Sequence, residues 1–326
     1  MIKIGTIGTS AICSHFLDGM DLTEKFKLSA VYSRSIETGR AFAKSRGCEK
    51  VFTDLSEMAV WDGIDAVYIA SPNSLHYEQS KLFLENKKHV LCEKPITTNS
   101  DEYIRLKKLA DTNGCIYMEA IMPIHTKKYS EVKKALQSIG KILSARIDFS
   151  QRSSRLDKFL SGEKVNIFDM SLHAGTLMDL GVYCVYGAID LLGEPKKITA
   201  TANYLYNGAD GSGAALFKYD DFTAILTYNK VCQGVIGSEI IGENGTLQIS
   251  SISQYAGVIL IKDGKKEVIV DFPKKAEIMS GEAEKFANYI LSFDEFIDDY
   301  KKVSHTCLCV HKSMDEIKKS ANIKYI

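Results

Sequence analysis

His89-Val90-Leu91-Cys92-Glu93-Lys94-Pro95 decides how this chain is read. An apolar run, Val90 to Cys92, passes into an acid, a lysine and a proline. Proline lacks a backbone donor and disfavours a helical conformation in the residue before it, so strand pairing is expected to stop near Lys94. The Glu93–Lys94 pair then stands at the carboxyl end of a parallel strand, where open α/β sheets bind ligands. A solvated strand end carries the same residue types. The tripeptide is therefore weighed with what flanks it.

Upstream, Ile2 to Ile7 is a short apolar run, and Gly8-Thr9-Ser10-Ala11-Ile12-Cys13 opens an amphipathic helix. This is the place for a G-x-G-x-x-G dinucleotide fingerprint, of which only Gly8 stands. Ser10 and Cys13 replace the second and third glycines. Small residues still let a pyrophosphate approach, and a helix N-terminus supplies donors and partial positive charge. The next strand, Lys27 to Tyr32, ends in Ser33-Arg34-Ser35. An NAD enzyme carries Asp or Glu there against the ribose 2′-hydroxyl. A guanidinium instead suits a 2′-phosphate, so NADP(H) is favoured over NAD(H), the alternative being a ligand-free surface arginine.

A further apolar strand, Ile64 to Ala70, ends in Ser71-Pro72-Asn73-Ser74-Leu75-His76. Ser74 is a candidate helix cap, and Asn73 and His76 belong to the same carboxyl edge; a structural histidine is the competing reading. Helices over Ser74 to Asn86 and Ser100 to Thr112, and a strand from Cys115 to Glu119, complete the alternation. It predicts a doubly wound parallel sheet over residues 1–121.

After Met122-Pro123 the pattern changes. A helix (Lys128 to Gln137), a strand (Lys141 to Phe149), a polar stretch (Ser150 to Asn166) and a helix (Ala174 to Leu192) follow, stopped by Gly193-Glu194-Pro195. From Ile198 to Val270 successive alternating strands are punctuated by Asn207-Gly208, Asp210-Gly211, Asp220-Asp221, Glu243-Asn244-Gly245 and Asp263-Gly264. Helices over Glu282 to Tyr300 and Ser304 to Ser320 close the chain. Residues 122–326 thus read as an α+β domain on a large, mostly antiparallel open sheet. Within Leu177-Met178-Asp179-Leu180-Gly181-Val182-Tyr183, Asp179 and Tyr183 stand four apart on one helix face. Gly181 weakens a helix by about 1 kcal/mol against alanine unless something packs closely there. An amphipathic helix with one wet edge is the plainer alternative. His173 precedes this helix and reads first as structural.

The 326 residues suffice for two domains, and Lys plus Arg equals Asp plus Glu at 41 each. No charge excess points to nucleic acid or membrane. Neither a leader nor an apolar run of membrane length is read. Eight cysteines without a CxxC pair favour reduced core thiols over a disulfide frame or a metal site, and a cytoplasmic setting.

Gly8-Thr9-Ser10, Ser71-Pro72-Asn73-Ser74-Leu75-His76, Glu93-Lys94-Pro95 and Asp179-Leu180-Gly181-Val182-Tyr183 occur in the order of one family. The chain resembles, over its whole length, the glucose–fructose oxidoreductase / inositol dehydrogenase / MocA (Gfo/Idh/MocA) family. That resemblance implies an N-terminal Rossmann domain, a C-terminal domain whose sheet serves a homodimer, and Lys94 as a catalytic group. It also implies that Ser71, Pro72, Asn73, His76 and Glu93 line the cofactor edge. Tyr183 stands where the family's Asp-x-Gly-x-His segment has histidine, which is similar to the dihydrodiol dehydrogenase branch acting on diols or sugars. The expectation is hydride transfer to or from a sugar, polyol or diol, Lys94 and Tyr183 handling the proton and Asp179 orienting. Two alternatives stay open: an NAD-linked inositol or polyol dehydrogenase using Lys94, Asp179 and His173, and a dinucleotide-sensing regulator without turnover.

Overall fold

The computed structural model describes residues 1–274 and 277–325. The chain divides into two compact units: Met1–Ile121 with Lys274–His305, and Met122–Pro273 with Thr306–Ile326.

The first unit is built on six parallel strands: β1 (Ile2–Ile7), β2 (Phe26–Tyr32), β3 (Val51–Phe52), β4 (Ala66–Ile69), β5 (His89–Glu93) and β6 (Tyr117–Ala120). Their spatial order is β3-β2-β1-β4-β5-β6. The order reverses between β1 and β4, and that switch point leaves a crevice outside the strands' carboxyl ends. Helices α1 (Ala11–Asp21), α2 (Ile36–Ser45), α3 (Leu55–Val60), α4 (His76–Glu85) and α5 (Ser100–Thr112) connect the strands. All four residues of β4 and of β6 are buried, as a sheet covered on both faces requires. Helix α9 (Ser280–Leu291) lies against α1 at Gly19, where a Cβ would come 2.7 Å from the Ser280 amide nitrogen. The start of α10 (Phe293–Ala321) serves the sheet edge: the Tyr300 hydroxyl accepts the Tyr117 N–H of β6 at 3.0 Å. This occupies a donor that an edge strand otherwise leaves open.

The second unit carries eight strands: β7 (Ile142–Ser150), β8 (Lys197–Tyr204), β9 (Asp210–Lys218), β10 (Thr223–Asn229), β11 (Ser238–Gly242), β12 (Gly245–Ser251), β13 (Ala256–Lys262) and β14 (Lys265–Val270). Their order is β14-β13-β12-β11-β7-β10-β9-β8, antiparallel except for the β7–β10 pair. One face is buried, with Ala145, Ile147, Ala224, Leu226, Tyr228, Ile240 and Leu247 pointing inward, covered by α6 (Tyr129–Ser138) and α8 (Val182–Leu192). The opposite face leaves Leu143, Leu216, Ile225, Ile241 and Val268 more than a third exposed.

Several expected boundaries moved. The two terminal helices are broken at Ser292, not between Tyr300 and Ser304, and α10 runs unbroken over 29 residues. No glycine or proline lies between Tyr300 and Ser304 to interrupt its hydrogen-bond ladder. The polar stretch after Ser150 contains a short helix, α7 (Leu156–Leu160), held down by Leu156 and Phe159 packed on Phe168. Asp210-Gly211 opens β9 instead of forming a turn. Helix α4 starts with no side-chain cap, so Ser74 does not serve as one. The segment Met170–Leu192 is by length and composition a possible membrane span, but 83% of its apolar 18-residue window is buried inside the protein, as a core helix is.

Candidate active site

In the first unit the ends of β1, β2, β4 and β5 share one edge because all the strands are parallel. Gly8, just past β1, has φ +112°, and a Cβ there would lie 3.0 Å from the Ala70 carbonyl oxygen. Only glycine fits that turn. Ser10 is the N-cap of α1 but makes no capping hydrogen bond, so the first-turn N–H groups keep their reach toward an anion. Thr9, Ser10, Ala11 and Ile12 are all at least partly exposed along this turn. Cys13, at the third glycine position, is buried with Sγ 3.3 Å from the Gly8 carbonyl oxygen. Burial pushes its thiol up to about 12, so it is a neutral packing group. These features fit a dinucleotide's pyrophosphate.

At the end of β2, Ser33 is buried, its N–H donating to the Phe52 carbonyl at 3.1 Å. Arg34 is exposed and has no hydrogen-bond or ion-pair partner among the described residues. Beyond β4, Ser71 donates to Gln79 Oε1 at 2.7 Å and Pro72 leads into a 3-10 turn, Asn73–Leu75. His76 is fully buried, Nδ1 2.8 Å from the Pro95 carbonyl oxygen and Nε2 2.9 Å from that of Ser71. Burial lowers its pKa, against the pull of those two carbonyls. Its ring therefore braces Ser71 against the Lys94-Pro95 turn and offers no spare nitrogen to a ligand.

Glu93 ends β5 in a buried position. The Tyr68 hydroxyl donates to its Oε1, and the Lys94 N–H donates to Oε2 at 3.2 Å. Burial raises the Glu93 pKa, while the Tyr68 hydroxyl and the Lys94 ammonium oppose the rise. Lys94 is half-buried, and its bond to Pro95 is cis. The turn is fixed from the far side by Glu119, whose Oε1 accepts the Ile96 N–H at 2.8 Å. Neither Tyr68 nor Glu119 was assigned to the site from sequence. The available signal was an acid and a phenol inside strands that otherwise read as apolar.

In the second unit the expected helix from Ala174 is two pieces, with a separate 3-10 turn ahead of it. A 3-10 turn (Met170–Leu172) ends at His173 in the left-handed region, φ 52°. A π-helical turn (Leu177–Gly181) then leads into α8. Gly181 lies under the Tyr228 ring, which an added Cβ would meet at 3.2 Å, and this is the close packing its presence called for. Asp179 sits on the π turn, where such bulges frequently mark functional positions. Its Oδ2 lies 2.5 Å from Lys230 Nζ. Lys230 is almost wholly buried at the end of β10, its ammonium 5.5 Å from the centre of the Phe168 ring.

Asp210, the first residue of β9, is buried beside this pair. Its Oδ2 accepts the Leu177 N–H at 2.6 Å, and its backbone carbonyl accepts from Thr176 Oγ1 at 2.9 Å. Burial raises its pKa to about 6, with the Leu177 amide and the Lys230 charge opposing. Tyr183, at the start of α8, is buried to 6% exposure, its ring edge-on to Phe149 with centroids 5.6 Å apart. His173 stacks on Tyr325 with centroids 5.1 Å apart. Lys230 and Asp210 are functional candidates that sequence reading missed. They lie 51 and 31 residues from Asp179 in sequence, and one stood inside a dipeptide that reads as a turn.

The oxidoreductase family with an NAD-binding Rossmann fold matches residues 2–121, and the GFO/IDH/MocA C-terminal domain matches residues 129–248. An NADP(+)-dependent scyllo-inositol 2-dehydrogenase of Bacillus subtilis is 40% identical over 327 residues, covering 100% of this chain and 98% of that protein. A trans-1,2-dihydrobenzene-1,2-diol dehydrogenase of Xenopus laevis is 26% identical, covering 85% of this chain and 83% of that protein. Among solved structures, a 3-ketoreductase from Actinomadura kijaniata in complex with NADP and TDP-benzene shares the fold, with a TM-score of 0.81, 23% identity and 98% of each chain covered. With matched domains covering more than half its length and a full-length relative at 40% identity, the chain belongs to the Gfo/Idh/MocA family of NAD(P)-dependent oxidoreductases.

Proposed function

We propose that the protein is an NADP(H)-dependent dehydrogenase of a cyclic polyol or sugar, with Lys94 and Tyr183 handling the substrate's proton. The observation that carries the cofactor choice is Arg34, an exposed guanidinium without a partner among the described residues, where an NAD enzyme has a carboxylate. The polyol class is supported by the full-length relative named for NADP(+) and scyllo-inositol.

The Gly8–Ile12 turn and the first turn of α1 would hold the pyrophosphate, and Ser33 and Arg34 the 2′-phosphate. Ser71, Pro72 and Asn73 would line the rest of the edge. A nicotinamide bound there supplies or takes up a hydride. The chain's own work is then to bind the substrate and move one proton. As carbinol and carbonyl interconvert, the substrate oxygen loses or gains a proton, and Tyr183 is the group assigned to that transfer. An isolated phenol has a pKa of about 10, and a nearby ammonium favours the phenolate. Lys94 is assigned that ammonium. Asp179, fixed by Lys230, is suited to accept a hydrogen bond from a neighbouring substrate hydroxyl.

The test is a panel of scyllo-inositol, myo-inositol, D-xylose and a vicinal diol with NADP(+) and NAD(+), followed at the reduced-nicotinamide absorbance. Turnover of a polyol or sugar with NADP(+) preferred is the expected result. Tight NADP(H) binding without turnover of any of them sinks the polyol assignment.

The exposed apolar face of the eight-stranded sheet supports a homodimer formed through that sheet, since an apolar face of this extent calls for cover. Eight cysteines outside any disulfide, seven of them buried, support a reducing, cytoplasmic setting.

A further inference from the structure

His76 opens α4, and its buried ring is wedged between two turns of the first unit. Nδ1 lies 2.8 Å from the Pro95 carbonyl oxygen, and Nε2 lies 2.9 Å from that of Ser71. Among the described residues no other polar group bonds either nitrogen. A carbonyl oxygen can only accept, so each contact needs an N–H on the ring. A neutral imidazole carries one N–H and one lone pair. It serves one of these carbonyls and turns a lone pair on the other. Only the imidazolium makes both hydrogen bonds, so the observed arrangement is the one a doubly protonated ring holds.

Charging a buried ring is costly, and burial is the main influence lowering the His76 pKa. The two carbonyls and the Glu119 charge on β6 pull the other way, while the Lys94 ammonium adds to the lowering. The neighbouring elements bring no further buried charge. On β5 the Cys92 thiol is kept neutral by burial. On α5 Glu102 accepts from Thr98, and Arg105 lies over the Tyr77 ring. Glu57 on α3 and Glu78 on α4 are exposed, and Lys81 pairs with Glu85. Protonation is therefore an acid-side event, and above it one contact opens. The two contacts are unequal. Pro95 is buried, whereas Ser71 is partly exposed, so the Ser71 carbonyl can take a water instead. The neutral ring then keeps its proton on Nδ1 for Pro95, where an unpaired carbonyl costs more.

We infer that His76 is a proton-operated positioning residue. Protonated, it ties the Ser71–Asn73 turn to the Lys94-Pro95 turn; neutral, it holds Pro95 alone and releases Ser71. In the proposed function Ser71 and Asn73 line the cofactor edge, so release loosens the dinucleotide's seat and leaves the Lys94 turn in place. That consequence rests on the proposed function. The clamp itself does not.

The full-length protein, labelled with nitrogen-15 at histidine, is titrated by NMR from about pH 8 to about pH 5. Long-range proton–nitrogen spectra separate the two tautomers from the imidazolium, and His76→Gln identifies the His76 signals by their loss. The expected course is a neutral ring protonated at Nδ1 that becomes imidazolium on acidification. Amide exchange, read by peptide mass and corrected for its intrinsic pH dependence, should slow about fivefold in residues 70–76 across the same midpoint, the worth of one hydrogen bond. Residues 93–97 should stay level, and His76→Gln should show no step. A neutral ring protonated at Nε2, an exchange step away from the His76 midpoint, or no step at all overturns the inference. Should the glutamine variant not fold, His76→Asn serves the assignment, and the shared midpoint in wild type decides. NADPH added at about pH 8 should restore slow exchange in residues 70–76. A clamp seen without that restoration removes Ser71 and Asn73 from the cofactor edge and leaves the clamp standing. Turnover enters none of these measurements, so a failed substrate panel removes the polyol assignment alone.

Discussion

Two carboxylates, one in each unit, are held by opposite means. Glu93 is fixed by neutral donors, a phenol and a backbone N–H, that are themselves parts of β4 and of the chain beyond β5. Asp179 is paired with a full charge, Lys230, that has left water to reach it. The first arrangement costs little to build, because a parallel sheet brings its strand ends to one edge regardless of their side chains. The second depends on a long-range pairing. The carboxylate end of the pair is 39% exposed at its side chain and the ammonium end only 4%. Desolvation thus falls mainly on the lysine.

The comparison is most sharply tested where each unit contributes its proposed proton group. Lys94→Ala should lower turnover about 1000-fold and Tyr183→Phe about 100-fold, within the range typical of general acid–base groups. NADP(H) affinity, measured by fluorescence titration, should change less than about threefold in both, as neither is assigned to the phosphates. If the two groups serve one proton, the double variant should be no worse than Lys94→Ala alone. Multiplying losses would mean that they serve separate steps.

Uneven burial across the ion pair gives the next effect. Asp179→Asn strands an ammonium in the interior, whereas Lys230→Met leaves a carboxylate that can turn to water. Denaturant unfolding should therefore show a loss of about 3 kcal/mol for Asp179→Asn and about 1 kcal/mol for Lys230→Met. Equal losses, or the reverse order, would mean that the pair is solvated as a unit. On the nucleotide side, Arg34→Ala should weaken NADPH binding about 20-fold while moving NADH less than about twofold, since only the former carries the 2′-phosphate. Parallel losses with both cofactors would remove Arg34 from phosphate recognition.

These two parts of the molecule were not equally legible in the sequence. Gly8, Arg34, Asn73 and Lys94 each follow a short apolar run, and βα alternation tells the reader that the ends of such runs converge. Convergence there is a property of topology, so local patterns are sufficient. The brace formed by His76 between Ser71 and Pro95 was less visible, because a histidine near a strand end looks the same whether its nitrogens are committed or open. Lys230 and Asp210 were invisible for a deeper reason. An antiparallel sheet whose central strands β7 and β10 pair in parallel places β9 and β10 beside the Leu177–Gly181 turn. No periodicity announces that register. The π turn was equally hidden, since Ala174 to Leu192 has the composition of an ordinary core helix. Gly181 was the one local clue, and the Tyr228 ring packed on it accounts for it.

Asp210 offers the smallest effect and the finest reading of the second unit's electrostatics. Its carboxyl is raised from 3.8 to about 6, first by burial, although the Leu177 amide and the Lys230 charge both favour the anion. A folded-state pKa above the unfolded value means that the folded protein binds the proton more tightly. Stability therefore increases as pH falls through about 6 toward 4, and declines as pH rises through the same window. Between about pH 8 and pH 5 the gain amounts to roughly 1 kcal/mol from this group. Urea unfolding of wild type and Asp210→Asn at both pH values isolates it from every other titrating side chain, because only the difference between the two proteins is read. Wild type should gain about 1 kcal/mol relative to the asparagine variant on acidification. If the two proteins respond alike, Lys230 holds Asp210 as firmly ionised as it holds Asp179, and its ammonium is shared evenly between the two carboxylates.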